Sequence, residues 1–215
     1  MNLKKVLWAT AVLGLIICGF IAYQIYSAIF SSNTQFNNNE AFVYIASDAT
    51  FSDVTTSLEP LLKNLSTFEA VAKRKGKYAL KKGMNNNEII NTLRSANIPV
   101  QVSFNNQESL ALLAGRISEQ IEADSLSLLQ TFNDPGFLEE TKFDDDTKLA
   151  MYIPNTYEFF WNTDAESFRD RMRTEYDRFW NDERLQKAKN LGLSPNEVIS
   201  LAAVVQKETA KVDER

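Results

Sequence analysis

The fold class follows from GKYALKKGMNNNEIINTLRSA, residues 76–96. Tyr78 and Leu80 alternate with polar residues as in a short strand, and Gly83 supplies a turn. One of the next three asparagines can cap a helix, and the isoleucines and leucine that follow give this helix an apolar face. A strand, a turn and a helix in so short a span predict a small mixed module, and hence an α+β fold.

The preceding residues complete this module. The β-branched and aromatic residues of FVYIAS (42–47) predict a strand. SDVTTSLEPLLKNL (52–65) has the apolar spacing of a helix, and STFEAVAKR (66–74) predicts a second short helix with Ser66 or Thr67 as its N-cap. We therefore place a module at residues 41–97. Its asparagines serve either as turn and cap residues or as hydrogen-bonding partners for sugars.

The N-terminus has the pattern of a membrane signal anchor. Lys4 and Lys5 precede Val6–Phe30, which contains no charged residue and exceeds the ~20 residues that span a bilayer. A cleaved signal peptide usually has a shorter apolar region of ~7–15 residues. Residues 1–30 are thus predicted to form a cytoplasmic tip and a single transmembrane helix, and the polar stretch 31–40 a linker.

The positive-inside rule gives this anchor an orientation. The two lysines should remain in the cytoplasm, which places the body of the protein on the other side of the membrane. For a bacterium we expect a single-pass protein of the inner (plasma) membrane with a periplasmic or extracytoplasmic body.

Composition excludes several kinds of chemistry. The chain has no histidine, which rules out Ser-His and Cys-His nucleophile pairs and removes the commonest zinc ligand. Its one cysteine, Cys18, lies in the apolar N-terminal run, so we expect no metal site and no cofactor. A net charge of −5 with mixed signs argues against nucleic-acid binding. Carboxylates, lysines, tyrosines and hydroxyls are left to carry any reaction.

The second half of the chain alternates between predicted helices and irregular segments. IPVQVSF (98–104) predicts a strand, and two helices follow at 106–121 and 123–132. The acidic EETKFDDDTK (139–148) predicts a solvated loop. AESFRDRMRTEYDRFWNDERLQKAKNLG (165–192) predicts one amphipathic helix.

Three stretches in this order resemble the YceG-like family of membrane-anchored endolytic murein transglycosylases. GKYALKKGMNNNEIINTLR resembles the LysM-like module of the family, YIPNTYEFFWNT its Pro-Asp/Asn-Thr-Tyr segment, and LAAVVQKET the helix that carries the catalytic glutamate. The resemblance implies a LysM-like module followed by the first half of an α+β catalytic domain at 98–215. Gln206 departs from it, since many members have a glutamate there.

The resemblance also implies an activity and a site. Such enzymes cleave the bond between N-acetylmuramic acid and N-acetylglucosamine in nascent glycan strands and leave a 1,6-anhydro end, with peptidoglycan synthases as candidate partners. Glu208 would be the general acid and base. Because the catalytic domain of the family extends further, the chain resembles the N-terminal part of a longer protein, and we expect the 215 residues alone to be inactive.

The residues around Glu208 support this assignment. LSPNEVISLAAVVQKETA opens with the capping-box pair Ser194 and Glu197. At ~100° per residue, Glu208 falls about 20° from Leu201 on the apolar face, and Gln206 points towards the opposite face. Desolvation by apolar surface raises the pKa of a carboxyl group, which keeps the group protonated as a general acid.

The aromatic segment supplies candidate substrate contacts. Asn155, Thr156, Tyr157 and Glu158 follow the Pro154 turn and are predicted to bind glycan, with Glu158 as the second carboxylate. Tyr152, Tyr157, Phe159 and Trp161 are either core residues or stacking surfaces for sugar rings.

Two other functions remain open at this point. The protein could be a membrane-anchored scaffold that binds glycan without cleaving it, or a muramidase-type hydrolase that leaves reducing ends.

Overall fold

The computed structural model describes residues 3–65 and 75–208 and has the mixed α+β composition that the sequence predicts. Contacts divide the chain into two compact units, one up to Pro99 and one from Val100. The elements of the first unit are α1 (Leu3–Phe30), β1 (Glu40–Ile45), α2 (Phe51–Leu58), β2 (Gly76–Lys81) and α3 (Asn86–Ser95). The helix predicted at 66–74 lies outside the described residues.

The second unit is richer in helix. Its elements are β3 (Pro99–Phe104), α4 (Leu110–Ser118), α5 (Ser125–Phe132), α6 (Pro135–Thr141), a 3-10 turn (Lys148–Met151), β4 (Asn155–Phe160), α7 (Ala165–Phe179), α8 (Asp182–Asn190) and α9 (Pro195–Glu208).

Helix α1 is long and apolar enough to cross a membrane. Its segment Leu7–Phe30 contains 24 residues with a mean hydropathy of 2.0, and none of it is buried inside the protein. A membrane anchor is consistent with these properties.

Within the described part of the first unit, β1, β2, α2 and α3 enclose a core. β1 and β2 pair antiparallel, with Val43 opposite Tyr78. The inward-facing residues of the strands meet the apolar faces of α2 and α3. The buried residues of this core are Val43, Ile45, Val54, Leu58, Leu62, Tyr78, Leu80, Ile89 and Leu93.

Capping boxes start helices α2 and α3. Thr50 and Asp53 form one at α2, and Asn85 and Glu88 form the other at α3. Asn85 is therefore the capping asparagine that the sequence predicts. At the start of β2, Gly76 has φ +140° and lies so close to the Asn97 side chain that any Cβ would collide with it.

Two predictions for the second unit are wrong. Residues 165–192 form two helices, α7 and α8, because Asn181 caps a new helix by accepting a hydrogen bond from the backbone N–H of Arg184 at 3.0 Å. The acidic stretch 139–148 is not a purely solvated loop, since it begins inside α6. It also buries Phe143 edge-on against Tyr176, at a ring distance of 5.2 Å.

Candidate active site at one end of the β3–β4 sheet

Helix α9 starts at the predicted capping box. Glu197 accepts a hydrogen bond from the backbone N–H of Ser194 at 2.7 Å, and the Ser194 hydroxyl accepts one from the backbone N–H of Glu197 at 3.3 Å. Beyond this turn, Val198 and Ile199 pack against the core of the second unit. Tyr176 on α7 donates to Asn196 at 3.0 Å and fixes the start of the helix.

The apolar face of α9 is open along its second half. A shallow pocket of about 550 Å³ is lined by Val198, Leu201, Ala202, Val205 and Gln206. Glu208, the last described residue, is exposed at the end of this helix. Among the described residues, no apolar surface covers its carboxylate. The desolvation that the sequence predicts for this carboxylate therefore requires a covering surface from outside the described residues.

Gln206 does not lie on the face opposite this pocket, and that prediction is wrong. It lines the pocket, and its side-chain oxygen accepts a hydrogen bond from Asn106. The reason is helical geometry: Gln206 follows Ala202 by four residues, which returns it to within about 40° of Ala202. The apolar face of α9 is wide enough to include Gln206 at its edge.

The last turn of α9 is held against the loop that follows β3. Asn106 in this loop donates to Gln206, and Lys207 forms an ion pair with Glu108. The hydrogen bond from Lys207 lowers the pKa of the exposed Glu108 carboxyl group. These contacts position the backbone immediately before Glu208.

Strand β4 presents three of the four predicted substrate residues to solvent. Asn155, Thr156 and Glu158 are exposed, and Glu158 accepts a hydrogen bond from Gln101 of β3 at 2.9 Å. Tyr157 is buried, and its hydroxyl donates to the backbone oxygen of Ile153 at 2.6 Å. Tyr157 is thus a core residue whose hydroxyl group already donates a hydrogen bond within the protein.

Two contacts between the strands show which end of β4 lies beside the loop that follows β3. Gln101 contacts Glu158, and further along β3 the ring of Phe104 stacks on Tyr157 at 5.9 Å. The two strands therefore run in opposite directions, so the end of β3 lies beside the start of β4 at Asn155. The loop after β3, which holds the end of α9, lies at this same end. No hydrogen bond joins Glu208 to the exposed β4 residues within the described part of the chain.

Most aromatic residues of the segment are structural. Tyr152, Tyr157 and Phe159 are all at most 8% exposed and contribute to the core, which agrees with the interpretation of these residues as core residues. Trp161 is half-buried. Phe160 is a further candidate for substrate contact that the sequence pattern had not singled out. It is 51% exposed and lies on the outer face of β4 with Thr156 and Glu158. The strand alternation counted forward by two residues from Glu158 would have identified it.

Tyr157 makes the second unit sensitive to alkaline pH. Burial raises the pKa of Tyr157 to about 12, although the nearby Arg171 opposes this shift. The folded protein therefore retains a proton that an unfolded tyrosine loses near pH 10, so the free energy of unfolding should fall as pH rises from about 10 to about 12. Tyr157→Phe should cost about 1 kcal/mol at pH 7, from the lost hydrogen bond to Ile153, and should make the alkaline decline shallower.

Urea unfolding followed by tryptophan fluorescence across this pH range measures the effect. Tyr152 and Tyr176, whose pKa values are also raised by burial, should leave a residual decline. Tyr44→Phe, in the other unit, is the control and should leave the profile of the second unit unchanged. An unaltered alkaline slope in Tyr157→Phe would contradict the prediction.

Comparison with known proteins assigns the family. The model of the YceG-like family matches residues 43–215, which is most of the chain. The chain belongs to the YceG-like family. Among curated proteins, none matches it.

A solved structure supports the fold of this YceG-like protein. The 2.6 Å crystal structure of a yceG-like protein from Listeria monocytogenes is similar with a TM-score of 0.51 and 20% sequence identity. The match covers 83% of this chain and 67% of the other. At this identity the similarity concerns the fold alone.

Proposed function

We propose that this YceG-like protein is a membrane-anchored endolytic transglycosylase of peptidoglycan that uses Glu208 as its general acid and base. The observation that carries the proposal is the position of Glu208. It follows directly after two residues that are held to the loop at the Asn155 end of the β3–β4 sheet. Family membership connects this arrangement to murein.

The exposed outer face of β4 supports a glycan-binding role. Asn155, Thr156 and Glu158 offer hydrogen-bonding groups, and the exposed ring of Phe160 offers an apolar surface for the C–H face of a sugar. Within the second unit, a glycan strand following this face towards Asn155 would approach the end of α9. A bound strand would also supply the cover that Glu208 lacks among the described residues.

The reaction requires one group that first gives and then takes a proton. The protonated Glu208 carboxyl group would donate its proton to the glycosidic oxygen, and the bond from this oxygen to the anomeric carbon of the muramoyl sugar would break. The 6-hydroxyl of the same sugar would then bond to the anomeric carbon and return its proton to the Glu208 carboxylate. No water is consumed, and the products are a 1,6-anhydromuramoyl end and a free N-acetylglucosamine 4-hydroxyl.

The first unit would hold this site near its substrate. We propose that α1 anchors the protein in the bacterial inner (plasma) membrane, that the unit around β1 and β2 is a LysM-like module at 41–97, and that the catalytic domain begins at residue 98. Glycan strands leaving the synthases would then meet the enzyme at the membrane surface.

Product analysis tests the proposal against its two alternatives. Uncrosslinked glycan strands are incubated with the full-length protein, and the soluble muropeptides are examined by mass spectrometry. We expect new 1,6-anhydromuramoyl ends. Reducing muramic acid ends would indicate a muramidase-type hydrolase. Co-sedimentation with peptidoglycan and no new ends of either kind would indicate a glycan-binding scaffold.

The proposed topology gives a separate prediction. A reporter fused after Asn39 should be active outside the cytoplasm, since Lys4 and Lys5 hold the N-terminus inside. Paired alkaline phosphatase and fluorescent protein fusions at this position measure the side. Replacing both lysines by glutamate is the matched variant and should reduce export of the reporter. Activity confined to the cytoplasm would contradict the topology and exclude peptidoglycan as the substrate.

A further inference from the structure

The stretch that follows α1 is bound to the module on both sides. On one side, the backbone N–H of Asn33 donates to the oxygen of Met84 at 2.9 Å. On the other, the N–H of Lys63 donates to the oxygen of Asn33 at 2.8 Å, and the N–H of Gln35 to Leu61 at 2.9 Å. Residues 33–35 therefore run as an extended segment between two parts of the module.

Two buried asparagine side chains link this segment to the end of α1. Asn33 and Asn86 are 5% and 4% exposed. The Asn86 amide nitrogen donates to the backbone oxygen of Ala28 at 2.6 Å, and the Asn86 side-chain oxygen accepts from the Asn33 amide at 2.6 Å. Asn33 also accepts from the backbone N–H of Asn64 at 2.8 Å. One chain of hydrogen bonds thus connects α1, the segment after it, the start of α3 and the residues after α2.

The Ala28 oxygen belongs to the end of a helix, where carbonyl groups have no partner within the helix. Asn86 supplies this partner from the first position of α3. Buried amide groups are costly when their hydrogen bonds are not made, and bonds that share one network depend on each other. Loss of one asparagine would therefore weaken the contacts of the other.

A third buried side chain fixes the turn between β2 and α3. Thr34 is 6% exposed, and its hydroxyl accepts a hydrogen bond from the backbone N–H of Gly83 at 2.7 Å. Gly83 has φ +90°, a conformation that suits glycine. The turn that leads into Asn86 is consequently held by the same segment.

We propose that residues 27–36 form a fixed joint between α1 and the module, with Asn33 and Asn86 as the residues that lock it. The module then keeps one orientation relative to α1 instead of moving on a flexible tether. The proposal goes beyond the catalytic function and rests only on the membrane anchoring proposed for α1.

Distances between two spin labels test the joint in the full chain reconstituted in lipid nanodiscs. Tyr23→Cys on α1 and Arg94→Cys on α3 carry the labels in a Cys18→Ser background, and both positions are exposed. We expect one narrow distance distribution. The Asn33→Ala/Asn86→Ala variant should broaden it at least twofold. Asn91→Ala, an exposed asparagine of α3, is the matched control and should leave the width unchanged.

Two results would overturn the joint: a broad distribution in the unsubstituted chain, or an equally narrow one in the double variant. If circular dichroism shows that the double variant has lost its module fold, Asn86→Asp replaces it. This variant keeps an acceptor for Asn33 but has no donor for Ala28, so it should still broaden the distribution; an unchanged width would overturn the joint. The measurement requires no glycan cleavage, and vesicle flotation reports anchoring separately, so failure of this proposal is distinguishable from failure of the proposed function.

Discussion

Replacement of Glu208 by glutamine should reduce glycan cleavage by the full-length protein about 10²–10⁴-fold, the usual contribution of general acid–base catalysis. Glutamine has nearly the same shape, so the packing of α9 and the binding of glycan should persist. Its amide has no proton to transfer to a glycosidic oxygen. Initial rates of 1,6-anhydromuramoyl end formation measure the loss, and co-sedimentation with glycan strands measures binding.

Two matched variants make the result specific. Glu140→Gln makes the same chemical change at an exposed position of α6 and should leave the rate unchanged. Glu158→Gln keeps a side-chain oxygen that can accept from Gln101 and should reduce the rate far less than Glu208→Gln. If Glu208→Gln retains near-normal turnover while Glu158→Gln loses it, the acid is Glu158 and the assignment of Glu208 is wrong.

Local signals predicted much of the secondary structure. The capping box at Ser194 depends only on residues three positions apart, which is why the start of α9 could be identified from the sequence. At α3 the sequence limited the cap to one of three asparagines, and the structure shows that it is Asn85. The break between α7 and α8 is equally local. Asn181 is a preferred N-cap residue and the residues after it, DERLQKAKN, carry few apolar side chains, so both signals for the break are present in the sequence.

Long-range contacts could not be predicted in this way. The polar residues 31–40 have the composition of a linker, yet Asn33 and Thr34 are buried because partners far along the chain satisfy their polar groups. The same limit applies to Gln206. Its helical angle could be calculated, but its contact with Asn106 depends on the loop after β3. Composition shows which groups need partners and not where these partners lie.

The burial pattern of β4 predicts that replacing two adjacent phenylalanines by alanine changes the free energy of unfolding by very different amounts. Phe159 is 6% exposed and packs against Phe168, whose ring lies 4.9 Å away. Phe159→Ala would leave a cavity in the core and should lower the free energy of unfolding of the second unit by about 3–5 kcal/mol. Phe160→Ala removes an exposed ring from the outer face, so it should change this free energy by about 0.5 kcal/mol or less.

Urea unfolding in detergent measures both variants in a Trp8→Phe background, so that Trp161 and Trp180 report on the second unit alone.

The two variants also separate an effect on folding from an effect on glycan binding. If the outer face of β4 holds glycan, Phe160→Ala should weaken co-sedimentation with glycan strands while the unfolding midpoint stays constant, because only the stacking surface is lost. Equal destabilisation by the two variants would show that the outer face of β4 is covered in the folded protein. In that case Asn155, Thr156 and Glu158 would not be available to substrate.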